Sequence, residues 1–429
     1  MPVMNKRELL RASAAAATTV LATQAGAAQL PDGFDAALRS PRTAEAAFAA
    51  LFEVDRGIAN FDAAYYGAMP RPVHAEYLRH TAWVNRHNSL FLRSALAEPR
   101  DTALNRSRAA VADLLGCSME EIALANGGTE ALYSLIVNYR PLRAGDAVIL
   151  ADVDYDEMQH AMEYLAETRG ARLVRIALPE PSSSANVLAA YDRILRETPR
   201  AKLLLLTHLS NRSGLIPPVR EIVRLAKARG VDVILDSAQT VGQIPFTVED
   251  TGADFIGFSL HKWVGAPLGT GGIYIRKSRL DDIAPFLGNK IRDPGDIRAR
   301  ILTGTINYAA HLTIPTAIAL HNRIGPERKL ARLLALRNHW VERARTLPHL
   351  EWPLAEEPGL FGAITSFRPK GLTRWEDFQA LQARLLREHR LLVVAKRGLA
   401  GAPVMRVTPS LFNSFAELDR LVSALRKLA

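Results

Sequence analysis

The segment Ser259-Leu260-His261-Lys262 follows a β-rich stretch and precedes the glycine-rich run Gly269-Thr270-Gly271-Gly272. A lysine at the end of a buried strand is a poor core residue and a good Schiff-base former. Twenty-six residues earlier, the apolar run Val231 to Leu235 ends in a carboxylate, Asp236. A lysine that can bond an aldehyde and an acid that can pair with a pyridinium nitrogen are the two groups that pyridoxal 5′-phosphate (PLP) most needs from a protein.

Positioning such groups requires strands that end together. Apolar strands are expected over 147–151, 172–176, 203–207 and 231–236, alternating with helices over 157–168 and from Pro217-Pro218 to Arg229. Strands that are apolar throughout, separated by helices, predict a mostly parallel sheet covered on both sides. Helical spacing over 106–115 stops at Gly116, and two long helices are expected over 312–323 and 327–345. Beyond Tyr308 the pattern shifts to a smaller α+β unit. The division expected is an export signal over 1–28, an Ala-rich polar arm over 29–60, a large domain over 61–310 and a small domain over 311–429.

Ligands of open α/β sheets collect at the carboxyl ends of the strands, so the residues closing each strand are the candidates. Asn126-Gly127-Gly128-Thr129-Glu130 is a glycine turn feeding a helix that starts near Thr129. Such an N-terminus offers N–H groups to a phosphate, although an ordinary capped helix entry has the same composition. No GK[ST] ending follows, which excludes a P-loop. Tyr155 follows the strand over 147–151, where it can stack on a pyridine ring or stand as a surface tyrosine. Asn211 follows the strand ending at Thr207 and can donate to a phenolic oxygen, and Gln239 lies within reach of the same oxygen. Asp236 itself, at a strand end, can equally serve as a helix N-cap.

Together these motifs resemble the class V aminotransferase group of fold-type I PLP enzymes, which includes cysteine desulfurases, selenocysteine lyases and isopenicillin-N epimerase-like proteins. The similarity runs from about Asn60 to the carboxyl end. It rests on Asn211, Asp236, Gln239, His261 and Lys262 in the family's order and spacing. The resemblance implies an α/β fold with a seven-stranded, mostly parallel sheet in the large domain. It implies that Lys262 carries PLP as a Schiff base and moves the Cα proton, that Asp236 keeps the pyridine nitrogen protonated, and that Tyr155 stacks on the ring. Gln239 and Asn211 would contact the ring oxygen, while Gly128, Thr129, Ser259 and His261 would hold the phosphate. Gly304-Thr305 resembles the segment that reaches the phosphate of a neighbouring subunit, so a homodimer is implied. Met405-Arg406-Val407-Thr408-Pro409 resembles the family's carboxylate-binding segment, with Arg406 on the substrate α-carboxylate and Phe412 where the family has a tyrosine.

Tyr155, and His261-Lys262-Trp263 followed by Ala266-Pro267, lean towards the isopenicillin-N epimerase-like branch. The single cysteine, Cys117, precedes the first phosphate motif and reads as structural, which disfavours a thiol-dependent desulfurase; a C–S or C–Se lyase without a protein thiol stays open. A non-catalytic binding protein of the same fold is the reading from another class. The lone thiol excludes intramolecular disulfides and cysteine-rich metal sites. The 54 basic residues that give a net charge of +10 are spread along the chain rather than gathered into a nucleic-acid-binding patch. Lys6-Arg7 and Arg11, then the Ala/Thr-rich run 12–22 and Ala25-Gly26-Ala27, have the order of a removable export signal. Lys6-Arg7 stands where a twin-arginine pair would be. Export would put the protein in the periplasm or outside the cell. It adds a similarity to the periplasmic PLP enzyme of pyoverdine maturation, and with it a peptide-like substrate alongside free amino acids. No membrane span is expected outside the leader.

Overall fold

The computed structural model describes residues 30, 33–38, 41–302 and 304–428, so the leader expected over 1–28 lies outside the described residues. The chain enters through α1 (Pro41–Ala50), the short strand β1 (Ala59–Asn60) and the long helices α2 (Arg71–Leu92) and α3 (Arg100–Leu115). Then follow β2 (Ile122–Ala125), α4 (Gly128–Val137), β3 (Ala147–Ala151), α5 (Asp156–Arg169) and β4 (Arg172–Ile176). The alternation continues with α6 (Ser184–Glu197), β5 (Ala201–Thr207), α7 (Val219–Lys227), β6 (Asp232–Asp236), β7 (Phe255–Ser259) and β8 (Gly271–Ile275). The strands form one seven-stranded sheet in the order β2-β8-β7-β6-β5-β3-β4. Every pairing is parallel except those of β8, which runs antiparallel to both β2 and β7.

The apolar strands are buried on both faces for a reason visible in β5. Leu203 and Leu205 join one core cluster with Leu132 and Met162, whereas Leu204 and Leu206 join the other with Val187 and Ile222. Period-two alternation therefore feeds two helical layers, and the interiors of β3 and β6 and the run Leu203 to Leu206 of β5 are leucine, isoleucine or valine. In α7 the buried residues Val219, Ile222, Val223 and Ala226 follow the i, i+3, i+4, i+7 spacing of one helical face. Gly116 closes α3 in the left-handed region (φ 67°), as its position after the periodic run predicts.

The chain continues through α8 (Tyr308–Ile324), α9 (Pro326–Ala344), β9 (Leu350–Glu351), β10 (Thr365–Pro369) and α10 (Trp375–His389). It ends with β11 (Leu391–Leu392), β12 (Val394–Lys396), β13 (Val404–Val407) and α11 (Phe415–Arg426). Here a second sheet, β12-β13-β10-β9, is antiparallel throughout and shares a core of Trp340, Phe367, Phe378 and Leu421 with its helices. Two segments cross between the units. Helix α8 packs on α2 and α3, and β1 pairs in parallel with β11, which brings Ala59 and Phe61 into the carboxyl-terminal core. The amino-terminal arm differs from the polar segment expected. It carries α1, whose Phe48 is buried edge-on against Phe34. Among the described residues no helix is long and apolar enough to cross a membrane.

Candidate active site

Because β5, β6 and β7 are parallel and in register, with Thr207 opposite Asp236 and Asp236 opposite Gly257, their carboxyl ends open on one sheet edge. β2 runs in the same direction, since it and β7 both oppose β8, so the turn into α4 opens there too. A cavity of about 610 Å³ occupies this edge. Gly128, Thr129, Tyr155, Asn211, Asp236, Gln239, Ser259, His261, Lys262 and Arg406 all line it. Thr305 does not: it is exposed and lines an adjoining cavity of about 490 Å³, which shares Asn126 and Glu130 with the first.

The glycine turn is shaped by close approach. The N–H of Gly128 donates to Ser259 Oγ at 3.0 Å, and a Cβ on Gly128 would lie 2.7 Å from that oxygen and 3.0 Å from the Ala238 methyl. Only glycine lets the start of α4 sit against the end of β7. The first N–H groups of α4 consequently face the cavity edge with no helical acceptor of their own.

Lys262 lines the cavity, and its amine has no hydrogen-bond or ion-pair partner among the described residues. Burial, with Arg406 and Lys396 adding to it and Asp236 opposing, brings its pKa down to about 8. Asp236 is buried, which pushes its carboxyl pKa up against the Ala238 N–H, which donates at 2.9 Å, and against the charge of Lys262. Such a carboxylate gains from a cationic neighbour, and a protonated ring nitrogen is one. His261 is held neutral: burial and the neighbouring Lys262 drop its pKa to about 4, and Nδ1 lies 2.8 Å from the Thr270 carbonyl. Burial pushes the Tyr155 phenol up to about 12, so it enters the site as a neutral ring.

Gln239 is more constrained than its sequence position implies. Its Nε2 donates to the Ala64 carbonyl at 2.8 Å, and its Oε1 accepts from Trp263 Nε1 at 2.9 Å, which leaves one amide N–H free to turn to a ligand. Arg406 is 1% exposed and already engaged: it donates to the Asn211 carbonyl at 2.8 Å and pairs with Asp62.

Several contributors escape sequence reasoning. Gly67 donates to the His261 carbonyl at 2.9 Å, and a Cβ there would come within 1.9 Å of the Lys262 carbonyl oxygen, so the backbone before α2 braces the lysine. Buried Asp154 ties β3 to β5, accepting from Ala151 N and from both Thr207 N and Oγ1, and burial raises its pKa to about 7. Tyr65, Tyr66, Leu268 and Lys396 also line the cavity. Arg93 and Arg292 line the adjoining cavity. Of the missed residues only the tyrosines had a signal, as an aromatic cluster; the others act through contacts between distant segments.

The family model for class V aminotransferases matches residues 72–409. The chain belongs to the class V aminotransferase family. Within it, the chain is 27% identical to isopenicillin N epimerase of Streptomyces clavuligerus over 77% of its own length and 88% of that protein. It is 28% identical to isopenicillin N epimerase of Amycolatopsis lactamdurans, over 88% of its own length and 96% of that protein. A probable cysteine desulfurase of Xylella fastidiosa is 26% identical over 80% and 85%. Among solved structures, a cysteine desulfurase from Thermococcus onnurineus NA1 superposes with a TM-score of 0.72 at 23% identity, covering 86% of this chain and 94% of that one. A C-DES mutant with glycine covalently linked to its PLP cofactor gives 0.74 at 18% identity, covering 86% and 97%. These structural likenesses establish the fold.

As a class V aminotransferase-family member, the chain is a PLP-dependent enzyme. Its residues fit that cofactor: an amine without a partner, a buried carboxylate with no cation bonded to it, and a turn from which side chains are excluded all meet in one cavity.

Proposed function

We propose that the enzyme acts on the amino group and Cα of an amino acid or peptide-like metabolite, by epimerisation or transamination. The observation that carries this reading is the unpaired amine of Lys262 beside Asp236, in a cavity that Arg406 lines and no thiol does. Bound PLP supplies an electron sink for charge developing at the substrate Cα. Lys262 would hold the cofactor and would take and return the Cα proton; its pKa near 8 suits both duties around neutral pH. Asp236 would keep the ring nitrogen protonated, Tyr155 would cover the ring, and Asn211 and Gln239 would contact its oxygen. Gly128, Thr129, Ser259 and neutral His261 would hold the phosphate, and Arg406 would receive the α-carboxylate.

Cys117 is outside the cavity lining, and burial pushes its thiol up to about 12. The chain therefore offers no thiolate of its own for desulfurase chemistry, although curated relatives carry that name. A lyase that needs no protein thiol is the second reading, and those relatives favour it. The exposure of Thr305 beside Asn126 and Glu130 supports a homodimer in which this segment completes a neighbouring chain's site. The order of basic, weakly apolar and small residues before Gln29 supports export to the periplasm or beyond, and a mature amino terminus near Ala28 outside the cytoplasm is the expected result of fractionation.

The reaction class is tested by incubating the PLP-loaded protein with amino acids and siderophore-type peptides in deuterated water. Label at Cα with the amine retained means epimerisation, transfer of the amine to the cofactor means transamination, and elimination products mean lyase chemistry. A protein that changes neither its cofactor spectrum nor any Cα proton is a binding protein, and the proposal fails.

A further inference from the structure

Resting on that reading, we infer that Lys396 is a specificity-determining residue that receives a second carboxylate, so that the enzyme takes amino acids or peptides carrying an acidic group besides the one at Cα. The placement follows from the small sheet. β12 and β13 pair antiparallel with Val394 opposite Arg406, and Lys396 lies two residues beyond Val394. Side chains two apart share a face, so Lys396 stands on the face of Arg406, one diagonal step along the ladder. Both side chains line the cavity at the sheet edge.

Two cations so placed repel each other, and the structure does not neutralise both. Arg406 is served by Asp62 and by the Asn211 carbonyl. Lys396 has no hydrogen-bond or ion-pair partner among the described residues. The charged groups around it are Arg406, Asp62, Asp156 and Arg212, with Lys262 also within its field. Asp62 is taken by Arg406, and Asp156 by Arg212, so neither carboxylate is left for the amine. Arg406 Nε is likewise buried without a hydrogen-bond partner. The amine of Lys396 and the Nε–H of Arg406 are thus donors that an anion from outside the chain would satisfy. A neutral side arm would leave the lysine half-buried and unpaired, at a cost in binding.

The test compares ligands matched in length. Glutamate and 2-aminoadipate are titrated against glutamine and norleucine on the PLP-loaded protein, reading cofactor absorbance and Cα deuterium exchange. Amine-free glutarate is titrated against pentanoate by calorimetry. The acidic member of each pair is expected to bind about tenfold or more tightly, the effect of one charge-assisted hydrogen bond. In Lys396→Met the ratio should fall to near one, and in Lys396→Arg the preference should return, both with the cofactor spectrum retained. Equal affinities in the wild-type protein, or a preference that Lys396→Met leaves intact, overturn the inference. The glutarate-to-pentanoate ratio involves no step at the cofactor, so it reports on Lys396 even if no amino acid exchanges its Cα proton and the proposed reaction fails.

Discussion

Replacing Gly128 by alanine tests a close contact at the proposed phosphate site. The added Cβ meets Ser259 Oγ at 2.7 Å and the Ala238 methyl at 3.0 Å. The serine can swing away, but the buried Gly128 N–H then loses the acceptor it has at 3.0 Å, which costs about 1–3 kcal/mol. Ala238 has no rotamer to change, so the start of α4 must shift from the sheet, an overpacking cost of about 1–3 kcal/mol. Helix propensity returns about 1 kcal/mol, leaving a net loss of about 1–5 kcal/mol. Denaturant unfolding of the apo protein, read as a shift in midpoint because a chain with two cores need not unfold in one step, should show that loss. PLP titration should show an affinity at least about tenfold weaker, since the displaced serine and the shifted helix N-terminus both serve the proposed phosphate site. Gly230→Ala is the control: at φ +68° with nothing within 4 Å, it should cost about 1–2 kcal/mol of strain and leave PLP affinity unchanged. Unaltered midpoint and affinity in Gly128→Ala, or an equal loss of affinity in Gly230→Ala, would refute the reasoning.

Lys262→Ala should abolish the covalent adduct that borohydride traps in the wild-type protein; peptide mapping that finds the adduct on another lysine would remove Lys262 from its role. Arg406→Lys should raise KM about ten- to a hundredfold, because a point charge cannot serve Asp62, the Asn211 carbonyl and a substrate carboxylate together; an unchanged KM would place carboxylate recognition elsewhere. Lys329 is buried, contacts the Trp263 carbonyl and His321, and has a pKa depressed by burial from 10.5 to about 7. The unfolded chain therefore holds the extra proton between about pH 7 and 10.5, and this group makes stability rise with pH across that window. Lys329→Met should flatten the rise in unfolding midpoint, while Lys262 and Lys396, both also depressed, keep some of it; an identical slope in the variant would contradict the assignment.

The sheet was legible because its strands are apolar on both faces and its helices are amphipathic, signals that need no knowledge of neighbours. Strands β3 and β4 fall at 147–151 and 172–176 as expected, and the site residues were found because they close such strands. β8 was not read, since its start, Gly271-Gly272, has the composition of a loop; the glycines are there because Phe258 and Gly127 press against them. The amino-terminal arm was misread for the opposite reason. Its alanines look polar-neutral in sequence, yet Phe48 anchors α1 in the core. Lys396 was illegible because a lone lysine in a short strand looks like a solvated edge until the pairing with β13 shows which face it shares.

Several of the residues that escaped notice lie together. The segment from Ala59 to Gly67 pairs with β11 at one end and touches the chemistry at the other. Its Asp62 carboxylate holds Arg406, its Ala64 carbonyl fixes Gln239, and its Gly67 N–H braces the carbonyl before Lys262. Phe61 and Ala63 bond on either side of Thr408, two residues past Arg406, so the segment is stitched to the very strand that carries the arginine. The proposed carboxylate receptor sits on the small sheet and the lysine on the large one. These nine residues set the distance between them. Their order cannot be read as a motif, because what they supply is mostly backbone, and any side chain at Gly67 would have to push that backbone off Lys262.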